Sequence, residues 1–474
     1  MDMGTYDLIV VGGGPAGYVG ALYASARGKK VALVERDTLG GVCLNRGCIP
    51  TKAFIETAKL YTFVRENAAA QGIRVEGVHV DVAQMLARKE EIVGRLVKGI
   101  AFLLKRGKVD VYEGTGRLLP WSTEGANRVE VLPREGGEGR ILNAQHVLLA
   151  TGSLPRYFPG MEPDGRVVLS SDDALRFERV PKAVAIVGGG AIGVEWAYIY
   201  HSLGAKVYLL EALDRILPLE DEEVSREVTR IFKKRGIELY TGTALREGDI
   251  ERRDTSAVVH VQRPQGALAL EVDFVLVAVG RIPNTEGLGL EGTSVRRERG
   301  FVVTKENLET DQPGVYAAGD VAGAPLLAHK ASHEAILAVR SMLGEEVRKP
   351  DPRDIPRATF GSPEVASVGY TEAEAREAGF AVRTAKFPVR ANGRALIEGE
   401  VDGFVKLVAD EATGEILGVH IVGPRAGDLI GEGSLLRYFR AKDFALAETV
   451  HPHPTLVEML GEAGLQLLGT PIHA

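Results

Sequence analysis

An α/β fold, two doubly wound halves followed by a C-terminal α+β domain, is predicted by three features of this 474-residue sequence. Residues 6–36, YDLIVVGGGPAGYVGALYASARGKKVALVER, read as an apolar strand, a glycine turn, a small-residue helix and a second strand. Residues 182–212, KAVAIVGGGAIGVEWAYIYHSLGAKVYLLEA, repeat that pattern. From about residue 351 the glycine pattern stops and shorter strand and helix signals replace it.

The repeat is close. Gly12, Gly14, Gly17 and Glu35 recur as Gly188, Gly190, Gly193 and Glu211, each 176 positions further along. In both copies the glycines would permit a tight turn, close backbone approach to a pyrophosphate, and close packing of helix on strand. The following helix would offer its free N–H groups and positive dipole end to phosphates. Each glutamate would accept hydrogen bonds from ribose hydroxyls. One such turn is a weak signal, but two complete ones predict two bound dinucleotides and Rossmann-like domains to hold them.

Further elements follow in order. HVLLATGS at 146–153 and FVLVAVGR at 274–281 are buried strands ending in a glycine turn, each closing its own nucleotide domain. After PNTEGLGLEG and a short strand, VYAAGDVAG at 315–323 sets Asp320 at a turn before a helix, where it would bind a ribityl hydroxyl or cap that helix. RATFGSPEVASVGYTEAEAREAGF reads as strand, turn and amphipathic helix. GFVKLVADEATGEILGVHIVG reads as an antiparallel pair joined through Thr413-Gly414, and helices fill the rest. This last region reads as an assembly or substrate domain.

The only two cysteines, Cys43 and Cys48, stand five positions apart in GGVCLNRGCIPTK, just beyond the first fingerprint. In an ideal helix that spacing separates Cα atoms by roughly 8–9 Å, whereas a disulfide needs less than about 7 Å. Asn45 and Gly47 tolerate the distortion that closing the pair requires. So short a loop removes little chain entropy, so redox work explains the pair better than a staple. With no second cysteine pair to complete four ligands, no metal site is expected.

A net charge of −7 argues against nucleic acid or an anionic membrane as main partner. Phosphate binding then falls to glycine loops and helix N-termini. A buried strand expected at Tyr6–Val11 would leave no room for a signal or transit sequence. No apolar stretch approaches the roughly 20 residues of a membrane helix. With no cysteine spent on structural bridging, the cytoplasm is the expected address.

The motifs GGGPAG, GGVCLNRGCIPTK, ATGSLPR, GGGAIGVE, AAGDVAG, LLAHKASHE, ANGRAL and HPHPTLVE run through essentially the whole chain. In these, and in their order, the sequence resembles the flavoprotein disulfide reductases, and within them the dihydrolipoyl (lipoamide) dehydrogenases. The resemblance implies FAD in the first repeat, NAD in the second and a C-terminal interface domain that makes a homodimer. It implies domains at 1–153 and 281–350 (FAD-binding), 154–280 (NAD-binding) and 351–474 (dimerisation). The absence of any cysteine after Cys48 disfavours the mercuric and large thioredoxin reductases, which carry a second redox pair. Where NADP-dependent glutathione reductases have arginines, this chain has Glu211 and Leu217, which favours NAD. Where they set a tyrosine over the flavin it has Ala191. A reductase of another disulfide is the rival reading. Arg46 and Val457 depart modestly from the family pattern; Arg46 would lower a thiol pKa if it points inward, or stand solvated.

Roles carry over position by position. The resemblance makes Cys43 the outer, interchange sulfur and Cys48 the inner sulfur beside the flavin. His453, oriented by Glu458, would be the base, acting on the cysteines of the other subunit, with His451 less essential. Lys52 near flavin N5, held by Glu195, would tune the ring. Cofactor contacts are implied for Gly12, Gly14, Pro15, Ala16, Gly17, Glu35, Arg36, Gly41, Lys52, Gly116, Ala150, Thr151, Gly152, Gly188, Gly190, Ile192, Gly193, Glu211, Gly280, Arg281, Gly319, Asp320, Leu327, Ala328 and His329. The partner implied is a lipoyl-bearing acyltransferase, or a lipoyl carrier protein, of a 2-oxo acid dehydrogenase or glycine cleavage complex.

Overall fold

Alternating burial along the first strand shows how the chain begins to fold. In Tyr6–Val11, Leu8 and Val10 enter one apolar cluster while Ile9 and Val11 enter another on the opposite sheet face. Val31–Glu35 does the same with Val31 and Leu33 against Ala32 and Val34. A strand covered on both faces is what a parallel sheet requires. The computed structural model describes residues 5–121, 126–263 and 266–473.

The chain divides into two compact units. The first gathers residues 1–51, 86–156 and 281–352. Its sheet runs Asp110–Leu118, Val31–Glu35, Tyr6–Val11, Arg140–Leu149 and Val315–Ala317, all parallel, with Asn127–Pro133 antiparallel to the first and fourth of these. The helix Pro15–Ala26 buries Gly17, Gly20, Ala21 and Ala24, so its inner face is nearly smooth. That face packs on Ala328–Met342, where a Cβ on Gly20 would lie 3.4 Å from the Ala335 Cβ.

The second unit gathers residues 52–85, 157–280 and 353–474. Its parallel sheet runs Glu238–Tyr240, Lys206–Leu210, Ala183–Val187, Phe274–Val277 and Val168–Ser170. The helix Glu222–Arg235 has its ends written in the sequence. The Asp221 side chain accepts from Glu223 N–H, glutamates fill the first turn, basic residues the last, and Gly236 closes it at φ 96°.

The C-terminal part of this unit is an antiparallel sheet ordered Arg357–Thr359, Glu364–Gly369, Ile416–Gly423, Phe404–Asp410 and Val382–Pro388. Ala426–Tyr438 and Glu458–Leu467 cover it. The antiparallel pair around Thr413-Gly414 is present. The stretch read as strand, turn and amphipathic helix contains a further strand, Glu364–Gly369, and its helix is only Glu372–Glu377. All six residues of that strand are buried, so it lacks the polar alternation by which half-exposed strands announce themselves. The fold is α/β with two Rossmann-like domains and a C-terminal α+β domain. Among the described residues no helix is long and apolar enough to cross a membrane.

Candidate active site

The 176-residue repeat extends to individual hydrogen bonds. Glu35 accepts from Gly13 N–H at 2.6 Å and from Asp37 N–H at 2.7 Å. Glu211 accepts from Gly189 N–H at 2.6 Å and from Leu213 N–H at 2.8 Å. Each carboxylate thus braces the turn that precedes its helix and keeps lone pairs for a further donor. A Cβ on Gly17 would stand 1.7 Å from Gly12 O, and one on Gly193 1.8 Å from Gly188 O. Only glycine permits either crossing. Pro15 opens the first helix, where its missing N–H costs nothing.

In the first unit a cleft is lined by Gly12, Glu35, Arg36, Gly116, Thr151 and Asn284, among others. It lies at the C-terminal ends of parallel strands, where α/β sheets take their ligands. Thr151 and Asn284 lock its wall: Thr151 Oγ1 donates to Asn284 O at 2.7 Å, and Asn284 Nδ2 donates back to Thr151 O at 3.1 Å. Asn284 escaped the sequence reading, although it follows Gly280 and Arg281 by only a few residues. Arg281 Nε donates to Ser153 Oγ at 2.7 Å, and Ser153 Oγ donates to Asp320 Oδ2 at 2.5 Å. Leu327 is the N-cap of Ala328–Met342, so Ala328 and His329 form its first turn.

The cysteine segment is laid against this turn by two glycines. Gly41, at φ 60°, opens the helix Gly41–Arg46 that carries Cys43. A Cβ there would lie 2.6 Å from Gly14 Cα. Helix and fingerprint therefore meet backbone to backbone. The helix breaks at Gly47, where a Cβ would lie 3.3 Å from Cys43 Cα, and Cys48 starts the next helix, Cys48–Thr62. The chain thus folds back on Cys43 rather than holding the two cysteines on one ideal helix. Arg46 pairs with Asp37 at 3.0 Å. Gly41→Ala is expected to add about 1–2 kcal/mol of left-handed strain and to force the Gly14 contact apart, so that purified protein carries markedly less FAD. Flavin absorbance relative to protein checks this.

In the second unit Leu217 is buried, its N–H bonded to Gly189 O at 2.8 Å, so it presents no cation beside Glu211. Lys52, one turn into Cys48–Thr62, donates to both oxygens of buried Glu195 at 2.7 and 2.8 Å. Its ammonium lies 4.7 Å from the Phe360 ring centre, and Phe360 N–H donates to the same carboxylate at 3.0 Å. His453 is largely exposed and its Nδ1 meets Glu458 Oε1 at 2.9 Å. Thr455 N–H binds the other Glu458 oxygen at 2.7 Å. Burial alone would raise the Glu458 carboxyl, but the Thr455 N–H and His453 hold it below the usual carboxylate range. His451 pairs separately with Glu432 at 3.0 Å. Cys43 and Cys48 belong to one compact unit, and Lys52, Glu195, His453 and Glu458 to the other.

Residues 6–335 match the pyridine nucleotide-disulphide oxidoreductase family, and residues 355–464 its dimerisation domain. The chain belongs to the pyridine nucleotide-disulphide oxidoreductases. It is 42% identical to the dihydrolipoyl dehydrogenase of Bacillus subtilis, over 99% of both chains. It is also 42% identical to that of Chlorobaculum tepidum, over 98% of this chain and 97% of the other. Among solved structures it is similar to LpdA of Mycobacterium tuberculosis, with a TM-score of 0.89 and 29% identity over 97% of this chain and 99% of that one. It is similar too to the HOCl-induced flavoprotein disulfide reductase RclA of Escherichia coli, with a TM-score of 0.83 and 26% identity over 97% and 99%. Oxidoreductases of this family use FAD and a pyridine nucleotide, and the cleft suits the first of these. Gly12 and Gly116 line it without side chains, Glu35 and Arg36 line it with a carboxylate and a guanidinium, and the helix that follows the turn has Gly14 as N-cap and Pro15 at its start. The dimerisation domain makes this chain one half of a homodimer.

Proposed function

We propose that this chain is a dihydrolipoyl dehydrogenase, oxidising protein-bound dihydrolipoamide to lipoamide and passing the electrons to NAD. The observation that carries the reading is the backbone contact of Gly41 with Gly14, which sets the Cys43–Cys48 segment against the first dinucleotide turn. Identity of about four residues in ten with dihydrolipoyl dehydrogenases along the full length supports the substrate.

In the oxidised enzyme Cys43 and Cys48 share a disulfide. His453 takes the proton of one substrate thiol at Nε2, since Glu458 binds its Nδ1 side. The thiolate attacks Cys43 Sγ, the Cys43–Cys48 bond breaks, and Cys48 leaves as a thiolate. The second substrate thiol then attacks the substrate sulfur held on Cys43. Lipoamide closes its own disulfide, and Cys43 departs with the proton stored on His453, which takes the second thiol's proton in its place. Glu458 stabilises the imidazolium between those two events. FAD, held at the first fingerprint, would supply the two-electron exchange between the resulting thiol–thiolate pair and NAD. Lys52, held by Glu195, would be the residue that favours an electron-rich flavin.

Gly12, Gly14, Gly17, Glu35, Thr151 and Asp320 would hold FAD, while Gly188, Gly190, Gly193 and Glu211 would hold NAD. The lipoyl group would come from an acyltransferase or a carrier protein of a 2-oxo acid dehydrogenase or glycine cleavage complex, in the cytoplasm. The test is NADH formation when the FAD-loaded dimer receives dihydrolipoamide and NAD. Turnover supports the reading; flavin that NADH reduces but dihydrolipoamide cannot reduce would overturn the substrate. His453→Gln should lower kcat by about 10²–10⁴-fold, with NADH-driven flavin reduction unchanged. A smaller loss in stopped-flow turnover would remove His453 from the base role.

A further inference from the structure

Lys330 is in an unfavourable place for a cation. It is the third residue of Ala328–Met342, near the positive end of the helix dipole, and it is 4% exposed. Burying an ammonium costs several kcal/mol unless its hydrogens find partners. Its partners are specific. Nζ lies 3.0 Å from Oε2 of Glu334, one turn on and equally buried. It also donates to Gly323 O at 2.7 Å and to Gly319 O at 3.2 Å. Glu334 Oε2 accepts in turn from Gly319 N–H at 2.8 Å.

One ion pair therefore holds both main-chain groups of Gly319 and the far end of the 319–323 turn. That turn needs holding. Gly319 and Gly323 sit at φ 81° and 125°, and the backbone bond that closes it, Gly323 N–H to Asp320 O, is long at 3.4 Å. Glycine-rich turns lose much entropy when ordered. The turn carries Asp320, whose carboxylate is aligned from the other side through Ser153 and Arg281.

We infer that Lys330 and Glu334 are positioning residues for the flavin cofactor: the pair presets the 319–323 turn before FAD arrives, so that Asp320 meets the cofactor without reordering. This rests on the reading that the first unit holds FAD through Asp320. A purely structural pair predicts something different. Replacing a whole buried ion pair with apolar groups of similar size is often neutral or stabilising. If the pair served stability alone, such a change would leave cofactor binding untouched. If it presets the turn, stability and cofactor binding separate.

The experiment is Lys330→Met/Glu334→Leu in the full-length dimer, stripped of FAD and titrated with it. The double variant should bind FAD about tenfold more weakly or worse, the equivalent of about one net hydrogen bond. Visible circular dichroism of the bound flavin should change, while the FAD-free protein melts no lower than the parent. Lys330→Met/Glu334→Gln, which keeps an acceptor for Gly319 N–H, should recover part of the affinity. Equal affinity and an unchanged flavin spectrum in the apolar double variant overturn the inference. If the double variants do not fold, hydrogen exchange in the parent decides. Amides of residues 319–323 protected in the FAD-free protein support presetting; amides protected only after FAD is added overturn it. A parent that takes up no FAD would sink the cofactor reading itself, which is a separate outcome.

Discussion

Cys48→Ser should abolish NADH formation from dihydrolipoamide, by more than about 10³-fold, the scale on which losing a nucleophilic group acts. The reason is chemical rather than steric. Serine fits where cysteine did, but no S–S bond can form with Cys43, so the substrate thiolate has nothing to displace. Folding should be untouched, because a bridge across five positions contributes little chain entropy. Flavin reduction by NADH bypasses the cysteines and should survive. The variant therefore separates two half-reactions in one protein. Residual turnover above about a hundredth of the parent rate would mean that electrons reach the flavin by a route that avoids Cys48. A concurrent loss of bound FAD would instead make Cys48 part of the cofactor's seat.

Lys406→Met should produce the largest change in stability. Lys406 is 2% exposed, in the middle of Phe404–Asp410. Its ammonium lies 2.8 Å from Glu372, 3.0 Å from Asp221 and 3.1 Å from Glu223. Removing it takes the shared cation from all three carboxylates, leaving Glu223 to Lys386, Glu372 to Arg376 and Asp221, among the described residues, with no cation of its own. Breaking a buried pair from one side costs about 3–5 kcal/mol, and the second unit should melt about 5–10 °C lower.

The pH dependence gives a sharper check. Burial raises Asp221 and Glu223, but His420, the Glu372 N–H and Lys406 outweigh it at Asp221, Lys386 and Lys406 outweigh it at Glu223, and Lys406 and Arg376 hold Glu372 down. These carboxyls titrate lower folded than unfolded. Their contribution is therefore fully present above the ordinary carboxylate range, about pH 5, and is lost as pH falls through their folded values. Burial alone would depress Lys406, but its carboxylate partners raise it on balance. Its share is thus complete below about pH 10 and is lost as pH rises further. In Lys406→Met the carboxylates repel instead, so acid should relieve the defect. The melting difference from the parent should shrink between pH 7 and pH 4. A difference that stays constant with pH would mean that Lys406 contributes packing and not charge.

What could be read from the sequence was local. Each fingerprint joins a strand, a turn and a helix within some thirty residues, and glycine, helix and acid spacing suffice to place them. The break at Gly47 is likewise local. What could not be read depends on chain topology. Asn284 meets Thr151 across 133 positions, and Lys406 meets Asp221 across 185. In FVKLVAD the lysine reads as a solvent-facing residue of an alternating strand, because nothing nearby announces the carboxylates waiting for it. LLAHKASHE stands out as a motif, yet the burial of Lys330 and Glu334 follows only once Val315–Ala317 brings the 319–323 turn beneath that helix. The strand Glu364–Gly369 was hidden for the opposite reason, being buried throughout.

The interleaving of the two compact units also has a meaning in time. On the ribosome, Arg140–Leu149 emerges with Tyr6–Val11 already available to pair. Its other neighbour, Val315–Ala317, in register through Val147 and Val315, is still unmade. At about 5–20 residues per second, that neighbour follows roughly 10–30 s later. For that interval the nascent sheet presents an open parallel edge, a template for pairing with other chains. The turn bearing Asp320 and the helix bearing Lys330 and Glu334 are later still. Cofactor capture is thus a late step of biosynthesis, and a cell short of flavin would accumulate chains whose first sheet is complete but whose site has nothing to close on.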